Sequence, residues 1–378
     1  MNRAGQAPQH RVAYFISPHG YGHAARAAAV MAEMHERAPG VVFEIFTSVP
    51  SWFFHDSVQG PFEYHDCVTD VGLVQRTALA VDLSKTVQAL DSFFPLDNHL
   101  VGSLAATLEQ KRCALVVCDI SPLGIAVARG AGIRSVLVEN FTWDWIYEGY
   151  AGDAERLKPH IRYLRSLFGQ ADHRVQTAPF CVAHASDCTT APVSRKPRNT
   201  TKTTRTRLGI ETGAQLIMIT MGGIPEDYGF LEELEKHDGW CFVIPGTGQS
   251  VEKRGNAILL PHHSPFFHPD LIGASDAVIG KAGYSTLAEV YHAGVPFGFI
   301  PRSGFRESDA LVAYIGENMP SVALDEGTFQ SGRWLDRLPE LLALPRVQRS
   351  YWNGSDRVAR FLLGLMDRKA KETQRPGR

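Results

Sequence analysis

The sequence lacks a strong charge of one sign and lacks long hydrophobic runs, and both absences exclude classes of protein. Lysine and arginine number 38 against 40 aspartates and glutamates, which leaves a formal net charge of -2. A chain without a basic excess is not typical of proteins that bind nucleic acid or membrane surfaces. No stretch approaches the roughly 18 apolar residues that span a bilayer, and Met1–His10 has no apolar signal-peptide region. We therefore expect a cytoplasmic protein with no transmembrane segment and no nucleic-acid partner.

Metal-binding cysteine patterns are absent as well. The six cysteines include no CxxC pair and no zinc-finger spacing. Several lie in apolar runs such as Cys113–Cys118, which indicates buried thiols in a reducing compartment. His262, His263 and His268 are close in sequence, but neither partner cysteines nor an HExxH spacing accompanies them. We therefore predict no metal site and no cofactor.

Short apolar runs alternate with longer amphipathic segments along the chain, starting at Val12–Ile16 and again at Leu216–Thr220. Continuous apolar strands separated by helices are typical of a parallel sheet covered on both faces. We predict an α/β protein with two doubly wound domains. The predicted units are a first domain over 1–185, a basic linker over 186–210, a second domain over 211–345, and a helix with a charged tail over 346–378.

A turn rich in glycine and histidine, Pro18–His23, follows the first predicted strand and opens the first helix. Ligands of open α/β sheets bind at the carboxyl ends of the strands. Gly20 and Gly22 permit a close approach, and His19 or His23 has the ordinary pKa of a general base near neutral pH. Alternatively, the histidines cap the turn and bond locally. A GxGxxG fingerprint is absent, which disfavours NAD.

Polar residues also follow two further predicted strands. Asp119 comes directly after one of them and can orient a histidine, or cap the helix that begins near Pro122. Asn140 and Trp143 follow the next strand, in a segment rich in aromatic residues. Such a segment suits a sugar-binding wall and ordinary helix packing equally.

The strongest ligand signal in the second half is Gly280–Glu289. It predicts a strand end, a small-residue turn and a helix start, where backbone amides bind anions. Lys281 can balance the charge of a diphosphate. Glu289 follows Ser285 and Thr286 by one helical turn and shares their face, so it can accept hydrogen bonds from ribose hydroxyls. The segment predicts a nucleotide ligand.

These motifs together resemble the GT-B glycosyltransferases. The first loop with His23 is similar to that of the superfamily, and Gly280–Glu289 resembles the donor segment of the peptidoglycan N-acetylglucosaminyl transferase and of UDP-glycosyltransferases. The narrowest resemblance is to the glycosyltransferase-like N-terminal region of L-arabinokinases, through His19–His23 with Arg26, Asn140–Asp144 and Gly280–Thr286. No GHMP-type kinase half follows in this sequence, so kinase activity is not expected.

The resemblance implies a GT-B fold and a metal-independent, inverting glycosyltransferase of hexosyl or N-acetylhexosaminyl type. Its expected partners are a nucleotide-diphosphate sugar, with UDP as the first candidate, and an acceptor hydroxyl on a small molecule, glycan or lipid-linked compound. Alternatives are a sugar-nucleotide epimerase or hydrolase, and a non-catalytic sugar-nucleotide-binding module. The expected catalytic residues are His23 and Asp119, with His19 in reserve. The expected donor-binding residues are Gly222, Gly223, His262, Lys281, Gly283, Ser285, Thr286, Glu289 and Arg306, and the acceptor-side residues are Gly20, Gly22, Asn140 and Trp143.

Overall fold

The computed structural model describes residues 10–77, 80–150, 152, 155–222, 228–349 and 353–373. Its first sheet has seven parallel strands in the order β3-β2-β1-β4-β5-β6-β7. The strands are His10–Ile16 (β1), Val41–Thr47 (β2), Phe62–Asp66 (β3), Cys113–Asp119 (β4), Ser135–Glu139 (β5), His173–Thr177 (β6) and Cys188–Thr190 (β7).

Helices cover both faces of this sheet because its central strands are apolar on both sides. Along β1, Val12 and Tyr14 enter one core while Ala13 and Phe15 enter the other, as the two-residue period of a strand requires. The helices are Tyr21–Arg37 (α1), Ser51–Ser57 (α2), Leu83–Phe93 (α3), Asn98–Gln110 (α4), Pro122–Gly130 (α5), Trp143–Glu148 (α6) and Leu157–Phe168 (α7).

The second sheet also has seven strands, in the order β10-β11-β9-β8-β12-β13-β14, and its edge strand β10 runs antiparallel to β11. The strands are Gln215–Thr220 (β8), Trp240–Pro245 (β9), Glu252–Arg254 (β10), Ala257–Leu260 (β11), Ala277–Lys281 (β12), Phe297–Ile300 (β13) and Ser321–Ala323 (β14). The remaining α-helices are Thr201–Leu208 (α8), Leu231–Leu234 (α9), His268–Ala274 (α10), Tyr284–Ala293 (α11), Glu307–Asn318 (α12), Glu326–Gln330 (α13), Leu338–Leu342 (α14) and Gly354–Thr373 (α15).

The two doubly wound domains are confirmed, and the segments that join them are more structured than the sequence predicts. The predicted linker holds β7, which completes the first sheet, and α8, which packs on α10 of the second domain. The C-terminal helix α15 returns to the first domain, where Val358 and Leu362 enter the core beside α1. It extends to Thr373, so the predicted charged tail is partly helix, and residues 374–378 lie outside the described residues.

Among the described helices, none combines the length and the apolar character that crossing a bilayer requires.

Candidate active site in the interdomain cleft

The two sheets meet at a cleft that holds a cavity of about 560 Å³. This volume lies in the range of small-molecule sites. Aromatic side chains from both domains make much of the wall, and polar groups converge at one end. The lining residues include Tyr21, Trp52, Phe53, Arg195, Gly222, His262, Phe266, Phe267, Ser285, Thr286 and Glu289.

A smaller recess of about 80 Å³ adjoins this cavity, and both are lined by Tyr21, Gly222, Ser285 and Thr286. The other residues of the recess come mostly from carboxyl ends of strands in the two sheets, which is where open α/β sheets bind ligands. Those that matter here are His19, Gly20, Gly22, His23, Arg26, Lys281, Gly283, Arg302, Phe305 and Glu307.

His23 and Asp119 form a buried pair at the bottom of the recess. His23 Nδ1 lies 2.9 Å from Asp119 Oδ1. Arg26 donates to the same carboxylate from Nε at 2.9 Å and from Nη2 at 2.6 Å. Burial acts to raise the pKa of Asp119, but the charge and hydrogen bonds of Arg26 outweigh it and hold that pKa below its usual value. In the tautomer in which His23 Nδ1 donates to the ionised Asp119, Nε2 is the acceptor of the ring.

His19 has the opposite hydrogen-bond pattern. Its Nδ1 accepts the backbone N–H of Leu73 at 3.3 Å, so the proton of the neutral ring resides on Nε2. The pKa of His19 lies well below its usual value because of burial and the nearby charges of His23, Arg302 and Lys281. His19 is therefore a neutral hydrogen-bond donor, and of the two histidines His23 has the arrangement of a base.

The backbone next to Asp119 is strained. Ile120 has a φ of 44°, a left-handed conformation that is rare for a β-branched residue. Such conformations cluster at functional sites, where the surrounding structure holds them in place.

The N-terminus of α11 supplies the wall contributed by the second domain. Gly283 precedes the helix, and Ser285 and Thr286 lie in its first turn. Gly22 packs close to this turn, because a Cβ on it would lie 3.7 Å from Ser285 Oγ. Gly222 has a φ of 73°, and a Cβ there would lie 2.8 Å from Lys281 Cε. The adjacent Gly223 lies outside the described residues.

Glu289 reaches the large cavity from α11 with both oxygens already engaged. Arg195 donates to Oε1 at 2.9 Å, and His268 Nδ1 lies 2.8 Å from Oε2. Burial acts to raise the pKa of Glu289, but Arg195 and His268 keep it below its usual value. Each carboxylate oxygen accepts two hydrogen bonds, so an ionised Glu289 retains capacity for ribose hydroxyls.

Four predicted site residues do not line the cavity or the recess, and one of them, Asp119, adjoins the recess through its bonds to His23 and Arg26. Asn140 and Trp143 are each 1% exposed, so they lie behind the walls of the recess and their contact with an acceptor stays a prediction. Asn140 instead accepts from Arg26 at 2.7 Å and donates to Glu307 of the second domain at 2.7 Å. Arg306 bonds the Trp145 carbonyl and lines a neighbouring groove that shares Arg302 and Phe305 with the recess, so its role in donor binding stays a prediction.

Trp143 nevertheless supports the site from behind. Its ring lies edge-on to His19 at 5.1 Å, and its Nε1 donates to Asp70 at 3.0 Å. Ser17 donates to the other Asp70 oxygen at 3.0 Å. Burial raises the pKa of Asp70 to about 7. Asp70 is a residue that sequence reasoning missed, since only the fold places it beneath the first turn.

The aromatic wall of the large cavity was also absent from the sequence prediction. Trp52 and Phe53 follow strand β2, just as His23 follows β1. This position, after a strand and at the carboxyl edge of the sheet, is the sequence feature that indicates a place in the cleft. Arg195 lies in the predicted basic linker, and its guanidinium packs on Phe53 at 4.9 Å and on Phe267 at 5.1 Å.

An epimerase would place several acids in the cleft, but of Asp119, Glu139 and Asp144 only Asp119 bonds residues that line the recess. Glu139 is buried against Gln176, and Asp144 pairs with Arg165. The three clustered histidines all line the large cavity, but they take different partners, since His263 stacks on Trp52 at 4.7 Å while His268 bonds Glu289. Where ligand atoms of a metal do come together in the described chain, at Glu44, Glu63 and His65, Arg11 and Lys111 neutralise the carboxylates.

No protein-family model matches the chain. It is 28% identical over 355 residues to the L-arabinokinase of Arabidopsis thaliana, an alignment that covers 93% of this chain and 34% of that protein. It is 26% identical over 153 residues to a UDP-N-acetylglucosamine–N-acetylmuramyl-(pentapeptide) pyrophosphoryl-undecaprenol N-acetylglucosamine transferase of Bacillus licheniformis, covering 36% of this chain and 42% of that protein. The chain therefore spans about a third of the plant kinase and less than half of the bacterial transferase.

Among solved structures, spinosyn forosaminyltransferase SpnP superposes with a TM-score of 0.59 at 16% identity and covers 95% of both chains. With the two parallel sheets facing one cleft, this likeness shows that the chain has the GT-B fold of glycosyltransferases. The predicted fold and the predicted resemblance to L-arabinokinases are confirmed.

Proposed function

We propose that the chain is a glycosyltransferase that moves a sugar from a nucleotide-diphosphate donor to an acceptor hydroxyl. The observation that supports this most strongly is the geometry of the recess. One domain contributes His23, oriented by Asp119 at 2.9 Å, and the other contributes the first turn of α11. A base and an anion-binding helix terminus are thus available to one ligand.

In the proposed reaction, His23 Nε2 takes the proton of the acceptor hydroxyl as its oxygen bonds to the anomeric carbon of the sugar. The bond from that carbon to the diphosphate oxygen breaks, and its electron pair stays on the diphosphate. The charge of the leaving group is offset by Ser285, Thr286, the α11 amides and Lys281. The proposed reaction therefore uses no metal ion for this role. Attack from the face opposite the diphosphate inverts the anomeric centre.

The large cavity is assigned to the nucleoside of the donor. Its aromatic wall suits a base, and Glu289 supplies acceptors for ribose hydroxyls. In this arrangement the phosphates of the donor lie next to Gly222 and Ser285, which line both the cavity and the recess. UDP and UDP-linked hexoses or N-acetylhexosamines are the first donors to test.

Donor binding is tested by thermal shift with UDP, GDP, dTDP and their sugar conjugates. A nucleotide at 100 times its Kd should stabilise the protein by about 2.7 kcal/mol. Glu289→Gln, which retains hydrogen-bonding atoms for Arg195 and His268, should reduce the shift. Glu340→Gln is the matched control, because Glu340 is exposed and lines neither the cavity nor the recess, and this variant should keep the full shift. If no nucleotide shifts the midpoint, the proposal fails.

The role of the base is tested by His23→Ala. We expect this variant to lose about 10²–10⁴ in turnover of the nucleotide sugar that binds, because a general base contributes that range, while donor affinity is retained. His19→Gln keeps a hydrogen-bond donor near the position of Nε2, so its turnover should fall much less than that of His23→Ala. Wild-type turnover in His23→Ala would exclude His23 as the base.

A further inference from the structure

Arg302 is a buried arginine whose hydrogen-bonding capacity the fold does not use. It follows strand β13 and is 7% exposed, with its guanidinium stacked over Phe305 at 3.9 Å. Neither Nε nor Nη2 has a hydrogen-bond partner within the part of the chain that the structure describes. Arg306, only four residues further on, bonds the Trp145 carbonyl and Glu148.

The two unpartnered nitrogens form one edge of the guanidinium. Their N–H bonds run nearly parallel, which is the geometry that binds both oxygens of a carboxylate at once. A buried donor without a partner destabilises a fold, and more so when it is charged. Such a group is retained where a ligand completes its hydrogen bonds.

The charges of the recess favour an anion there. Arg26 and Asp119 neutralise each other, and Arg302 lines the recess together with Glu307. The Glu307 carboxylate receives a hydrogen bond from Asn140 at 2.7 Å, and burial raises its pKa. Burial therefore disfavours the negative charge of Glu307 and weakens its competition with a bound anion for Arg302.

We propose that Arg302 binds the carboxylate of the donor's sugar, so that the transferred sugar is a uronic acid. This inference rests on the proposed function. Arg302 belongs to the same domain as Gly222 and α11, and the recess continues from the large cavity at these residues. With the diphosphate at that junction, the sugar is the part of the donor that enters the recess.

Calorimetric titration of UDP, UDP-glucose and UDP-glucuronate tests the proposal. These two sugars differ at one carbon, which is a hydroxymethyl group in glucose and a carboxylate in glucuronate. We expect the wild-type protein to bind UDP-glucuronate at least about tenfold more tightly than UDP-glucose. Arg302→Lys, which keeps the charge but loses the two-pronged edge, should remove most of that preference and leave UDP affinity unchanged.

Two further variants make the outcomes separable. Arg302→Met removes the unpartnered charge, so it should fold at least as stably as wild type and should also lose the preference. Arg306→Lys lies on the same loop and should retain it. An equal loss of affinity for UDP in the Arg302 variants would assign this arginine to the diphosphate and overturn the proposal. Nucleotide binding with no preference for UDP-glucuronate over UDP-glucose would also overturn the proposed role of Arg302, but it would leave the proposed function intact. Absence of all nucleotide binding would refute the proposed function itself.

Discussion

Asp70 gives a test of the structure that needs neither donor nor acceptor. Its carboxylate is 2% exposed beneath the first turn and accepts hydrogen bonds from Ser17 and Trp143. Burial outweighs these two bonds and raises its pKa from 3.8 to about 7. Asp70→Asn removes the titration while keeping the shape, since an amide can accept from Trp143 and donate to Ser17.

The magnitude follows from the linkage between proton binding and folding. Each pKa unit between the folded and unfolded states corresponds to about 1.36 kcal/mol. The titration of Asp70 therefore changes the free energy of unfolding by about 4 kcal/mol in total. The folded protein retains this proton to a higher pH than the unfolded chain does. The free energy of unfolding of the wild type should therefore fall as pH rises from about 4 to about 7, and then level off at this site. Asp70→Asn should lack that fall.

Urea denaturation of both proteins at about pH 4.5 and about pH 8 measures the difference. The advantage of Asp70→Asn should grow by up to about 3 kcal/mol between these conditions, because part of the titration lies below the lower pH. Asp325→Asn is the control, since Thr328 holds the pKa of that exposed carboxyl below its usual value and any titration lies below this window. An Asp70→Asn advantage that is equal at both pH values would show that the buried carboxyl is not the group described.

Two further substitutions test the cleft and the domain packing. Gly222→Ala should weaken UDP binding about tenfold in calorimetry, because the added methyl group would meet Lys281 Cε at 2.8 Å and the φ of 73° disfavours alanine. Unchanged affinity would remove Lys281 from the proposed phosphate site. Leu362→Ala in α15 should lower the free energy of unfolding by about 2–5 kcal/mol, since Leu362 is fully buried against the first domain. A loss below 1 kcal/mol in urea denaturation, on the order of a surface substitution, would show that α15 does not dock there.

The central strands could be predicted from sequence because their side chains are buried on both faces. Val12–Ile16 and Leu216–Thr220 are short apolar runs for that reason. The edge strands carry no such signal. β10 reads Glu-Lys-Arg and is exposed throughout, and β3 has only intermediate or exposed residues. Pairing with a neighbouring strand, rather than their own composition, makes these segments strands.

The same distinction applies to the site. His23 and Asp119 could be paired from sequence because each follows a strand, and β1 and β4 are neighbours in the sheet. The sequence prediction names Arg306, whereas Arg302 is the arginine of this loop that lines the recess. Which one faces the recess depends on Trp145 and Glu148 of the other domain, which hold Arg306 away. Contacts between domains have no local pattern in the sequence.

The return of α15 makes the first domain discontinuous in sequence. Its core contains Val358 and Leu362, more than a hundred residues beyond its last strand, and Gly354 sits so close to Ala191 O that a Cβ would approach it to 2.1 Å. A fragment ending after β7 would expose an apolar strip on α1 that only the far end of the chain can cover. Supplying α15 as a separate peptide, or fusing it ahead of β1, are the ways to obtain that domain alone. Because the chain crosses between the domains both before α8 and before α15, two connections join the domains, and any opening of the cleft has to bend both.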